Sequence, residues 1–158
     1  KMDILMNNKE KKELHKKLGI ELFNKTWDLI DKEDKDQQEI DRMIHAAHAS
    51  RYRWEFAGGP VNIARGEWQI SRVYALLKRA EPCLYHAERC LQVTLDNDLK
   101  DFDLDFAYEA MARACNLSGD HTAVTKYMTL ARDAGSKISD PDDRKYFLSE
   151  LQTISSGS

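Results

Sequence analysis

The chain has 158 residues, enough for one domain, and a domain near this size removes roughly 70% of its unfolded surface from water. A formal net charge of -3, with acids and bases interspersed, gives no chain-wide basic field of the kind that nucleic-acid binding needs, and no apolar run approaches the roughly 20 residues of a membrane helix. Three cysteines without CxxC spacing argue against a disulfide framework or a zinc knuckle and fit a reducing, cytoplasmic setting.

Residues 1–7 and 155–158 are read as frayed or added tails around one domain at 8–154, with no leader for export. The first helix is expected from about Asn8 to Asp31, and its basic run at 9–17, interrupted by Glu10 and Glu13, is a solvated face. Asp36 caps the second, with Glu39 in capping-box position, and Gly58-Gly59 ends it. Pro60 opens the third, which reads to about Lys78. Pro82 lies in the first turn of the fourth, which ends near Asn97. The fifth follows Asp101 or Asp103, Asp120 caps the sixth, and Asp140-Pro141 starts the seventh. Asp101, Asp103 and Asp105 lack the glycine and terminal glutamate of a calcium loop, so they are read as helix-capping groups. No strand is expected; seven helices joined by short turns imply antiparallel neighbours in an all-α array.

Two helix pairs overlay at a spacing of about 41 residues, placing Tyr74, Lys78, Cys83, Ala87 and Cys90 over Cys115, Gly119, Val124, Met128 and Ala131. In the clearer copy, Tyr108, Met111, Ala112, Cys115, Gly119, Asp120, Val124, Met128 and Ala131 resemble the tetratricopeptide repeat. The other copy carries Glu67, Ser71 and Lys78 where that pattern has an aromatic and two glycines. The resemblance covers roughly residues 64–135 and implies a right-handed stack of helical hairpins whose first helices line a concave groove that takes a peptide or protein segment. The stretches HAAHASRY and RGEWQISRVYALL also resemble bacterial proteins of unassigned function.

Steps of three and four put Arg65, Trp68 and Arg72 on one stripe of the third helix, and Phe106, Glu109, Arg113 and Asn116 on the matching stripe of the fifth. Trp27 takes the same role in the first helix. Trp and Arg together make interface hot spots, and Arg65, Arg72 and Arg113 are expected to hold an acidic side chain or a C-terminal carboxylate. The alternative is that these arginines pair with Glu109 or Glu67 and that Trp68 is half-buried core.

A rival reading places a small-molecule or metal pocket between the second and third helices, using His45, His48, Arg51, Tyr52 and Glu67. The metal signal is weak, since no HExxH accompanies the two histidines, so neither a metal nor a cofactor is expected. Arg51 and Glu67 both fall on packing faces, and a buried charge needs a partner, so an ion pair across the Gly58-Gly59-Pro60 turn is expected. The cysteines are read as packing groups and no catalytic residue is expected. A second rival is a homo-oligomer built on the seventh helix through Tyr146, Phe147 and Leu151.

Overall fold

The computed structural model describes residues 6–156, and these form seven helices with no strand among them. They are α1 (Asn8–Asp31), α2 (Gln37–Ala57), α3 (Pro60–Leu76), α4 (Ala80–Asp96), α5 (Phe102–Ser118), α6 (His121–Ser136) and α7 (Pro141–Ser156). The expected starts follow from local chemistry. Asp36 and Glu39 exchange side-chain and backbone hydrogen bonds at 2.8 and 3.1 Å, closing a capping box. Asp120 accepts from the Ala123 amide at 3.0 Å, and Asp140 Oδ1 accepts from the amides of Asp142 and Asp143 at 2.9 Å ahead of Pro141. Asn7, expected in the tail, caps α1 through a capping box with Glu10, and α7 runs on to Ser156. Residues 1–5 and 157–158 lie outside the described residues.

Consecutive helices pack as the pairs α1/α2, α3/α4 and α5/α6, while α1 also meets α3, α3 meets α5, and α5 meets α7. One face is therefore built from odd-numbered helices alone. The overlaid turns match in backbone: Lys78 and Gly119 both adopt positive φ, 55° and 77°. That conformation strains lysine and suits glycine. The small positions of the overlay, Cys83, Ala87, Cys90 and Ala131, are all buried, as close helix packing requires. Gly66 serves the same end, because a Cβ there would stand 3.1 Å from Arg51 Cβ and hold α3 off α2.

The core falls into three connected clusters. Met43, Ala47, Ile70 and Val73 join α2 to α3; Cys83, Ala87, Met111 and Cys115 join α4 to α5; and Phe106, Met128, Phe147, Leu151 and Ile154 bind α7 onto α5 and α6. Phe147 and Leu151 are thus buried within the chain and not presented for packing on a second copy, which leaves Tyr146 and Leu148 as the exposed apolar groups of α7.

Candidate functional site

The face of odd-numbered helices divides into two parts. Around Trp68 the rings form a chain across four helices, each within contact of the next. Trp27 lies 5.5 Å from Trp68, Trp68 lies 5.5 Å from Phe106 edge to face, and Phe106 lies 6.2 Å from Tyr146, all between ring centroids. Phe23 stands edge-on to Trp27, and Phe102 lies tilted against Phe106 at 4.7 Å. These rings line an open cavity of about 320 Å³ whose floor includes Ala64 and whose rim carries Arg65 and Asp103. Arg65 grips Asp103 with two hydrogen bonds of 2.7 and 3.1 Å. This holds its guanidinium pKa above the usual value, mainly through the hydrogen bond to Asp103. The rim is polar and nearly neutral, and the interior is aromatic.

One to two turns further along the same helices, the face is closed. Glu109 is 1% exposed and accepts from Arg113 Nε at 2.7 Å, with Arg72 Nη1 at 3.5 Å. Arg72 also reaches Glu150 of α7 at 2.5 Å. Arg113 donates to the Glu150 carbonyl and the Thr153 hydroxyl, and Asn116 donates to the Ile154 carbonyl. Two arginines and two glutamates from α3, α5 and α7 thus neutralise one another. This corrects the expectation of a three-arginine receptor for a carboxylate: Arg72 and Arg113 are spent on Glu109 and Glu150, and Arg65 on Asp103. Of the four α5 residues expected in the groove, Phe106 alone lines the open cavity; Glu109, Arg113 and Asn116 hold α7. Trp68 is half-buried and does line it.

Between α2, α3 and α4 the expected Arg51–Glu67 pair forms, Nε to Oε1 at 2.9 Å, with Arg51 also on Glu55 at 2.7 Å. Sequence reasoning missed the third member, His86 of α4, whose Nδ1 sits 2.6 Å from the other Glu67 oxygen. Glu67 is 6% exposed; burial alone would raise its carboxyl, but the His86 hydrogen bond and the Arg51 guanidinium outweigh that and hold it below the usual range. His48 Nε2 meets the Tyr74 hydroxyl at 2.9 Å, and burial followed by the neighbouring His86 pushes its pKa down. His45 and Tyr52 are exposed, with Tyr52 stacked edge-on to Phe56. Of the five residues of the rival pocket, Arg51, Glu67 and His48 are brought together around His86, while His45 and Tyr52 are not. Among the described residues no group of three histidines, cysteines or acids is placed to hold a metal ion. The cysteines are free, buried thiols, and burial lifts Cys90 to about 12, far from thiolate reactivity.

The cluster around Glu67 is consequently a strut joining three helices, and the cluster around Glu109 is a clamp on the last one. The cavity around Trp68 is the open part of the odd-helix face. Compared with known proteins, the chain matches no family model, no curated protein and no solved structure, so the geometry alone carries the functional argument.

Proposed function

We propose that the protein is a recognition module, a tetratricopeptide-like helical stack that binds a peptide or protein segment on its odd-helix face. The partner inserts one large apolar side chain, aromatic or leucine-like, into the cavity walled by Trp27, Trp68, Phe106 and Tyr146. One observation carries this reading: four successive first helices each contribute a ring to a single open cavity. Rings bring large contact area at low conformational cost, which is why they dominate interface energetics. The Arg65–Asp103 pair at the rim supplies a donor face and an acceptor face for the backbone of an incoming segment. The role is binding without chemistry: of the reactive groups in the lining, Cys90 is a buried thiol raised to about 12 and Asp103 is held by Arg65.

A displayed library of random peptides, selected on the wild type and counter-selected on Tyr146→Ala, tests the proposal. Tyr146 is 51% exposed, so its loss leaves the core intact while removing a wall. The expected result is a family of binders that share one Trp, Phe or Leu and lose about tenfold or more in affinity on the variant. Binders with no shared apolar anchor, or binding indifferent to Tyr146, overturn it.

A further inference from the structure

A second cavity, of about 490 Å³, lies on the other side of α5, between that helix, α6 and the start of α7. Its floor is apolar, with Leu104, Tyr108, Leu130 and Ile138, and its walls are acidic on two sides. Asp101 and Asp105 approach from the start of α5; Asp133, Asp140 and Asp143 approach from α6 and α7. Lys137 is the single cation in the lining, and it is engaged by Asp133 at 2.9 Å. Asp140 is committed to the first amides of α7. That leaves Asp101, Asp105 and Asp143 as the uncommitted charges.

Asp105 marks this cavity as more than an acidic surface. It is 3% exposed, lines the cavity, and its carboxylate has no hydrogen-bond or ion-pair partner among the described residues. Its expected capping role is not what the structure gives: Asp101 is the N-cap residue and its side chain caps nothing, Asp103 holds Arg65, and Asp105 turns into the cavity. A nearly buried carboxylate without a partner is costly to the fold, and one that lines a cavity is a candidate ligand group. Burial, then the Asp101 charge, raises the Asp105 carboxyl to about 6, so its ionised form at neutral pH stands without a compensating cation.

The ligand's chemistry follows from the lining. No three of these acids are placed to hold one metal ion. Charge on two sides of an apolar floor matches ammonium groups at both ends of an aliphatic chain. We infer that the cavity between α5, α6 and α7 is a binding site for a small aliphatic polyamine, with one ammonium on Asp101 and Asp105, another on Asp143, and the methylenes over Leu104, Tyr108 and Ile138.

Calorimetric titration with spermidine at pH 7.5 and fixed ionic strength tests this, with 1-aminobutane and calcium chloride as comparison probes and melting curves alongside. Saturable spermidine binding is expected, at least tenfold tighter than 1-aminobutane, which lacks the second ammonium. Asp105→Asn is expected to melt higher than the wild type when free, because a buried unpaired charge is gone, yet to lose spermidine affinity by tenfold or more. Asp143→Asn, an exposed change that leaves the core untouched, is expected to weaken spermidine while leaving 1-aminobutane unaffected. The inference is overturned if the wild type shows no saturable binding in the millimolar range, if neither variant weakens it, or if calcium binds with the same dependence on Asp105.

Discussion

On the face shared by α1, α3, α5 and α7, the half around Trp68 leaves rings open beside a cavity, whereas the half around Glu109 is closed by four charged side chains from three helices. Both halves are built from the same periodic stripes, and both carry arginine. The difference is what α7 brings to each. At Tyr146 it contributes a ring to the wall of a cavity, and at Glu150 it contributes a carboxylate to the clamp. Arginine on a helix face is therefore a recognition group only where the chain's own acids leave it free, and here Arg72 and Arg113 are already bound in cis.

Changes in the closed half should cost stability, and changes in the open half should cost binding. The largest effect is expected for Glu109→Gln, which leaves two part-buried guanidiniums short of a counter-charge. A loss of about 3–5 kcal/mol in urea unfolding is predicted, as for breaking a buried ion pair. Next is Glu67→Gln in the strut, predicted to cost about 2 kcal/mol. Glu67 ionises more readily folded than unfolded, so its contribution is present above the unfolded carboxylate range and is lost as pH falls through the lower folded value. Melting curves of the glutamine variant should accordingly lose part of the wild type's fall in stability at acid pH.

Asp105→Asn carries the opposite sign and a smaller size, a gain on the order of 1–2 kcal/mol at pH 7. Its folded pKa lies above its unfolded one, so its penalty grows as pH rises from the ordinary carboxylate range to about 6 and stays constant beyond. The asparagine variant should lack that slope. Smallest in stability is Tyr146→Ala, predicted within about 0.5–1 kcal/mol of the wild type by thermal melting. A large loss for Tyr146→Ala, or none for Glu109→Gln, would erase the distinction between the two halves.

Much of the fold is legible in the sequence because its boundaries are set by short-range chemistry. Asp36 with Glu39, Asp120, and Asp140 before Pro141 each mark a helix start within four residues of chain. The Arg51–Glu67 pair was legible for a related reason, since both fall on packing faces either side of one turn. His86 was not, because its approach to Glu67 depends on how α4 packs against α3, and nothing in the spacing of 19 residues reports that angle. The fate of Arg72 was further out of reach, being decided by Glu150, 78 residues away on the last helix. Asp105 shows the same limit from the other direction. Helix-start acids are usually caps, and only the placement of α6 and α7 turns this one into a buried group facing a cavity.

The three tryptophans allow one direct measurement of the central claim. Trp27 and Trp68 line the open cavity, while Trp54 packs on Gly19 between α1 and α2, away from it. Indole N–H resonances recorded while a selected peptide is titrated into the wild type should move for Trp27 and Trp68 and stay fixed for Trp54. Movement of Trp54 alone, or unmoved indoles at a saturating concentration of a peptide that binds, would place recognition elsewhere and contradict the account.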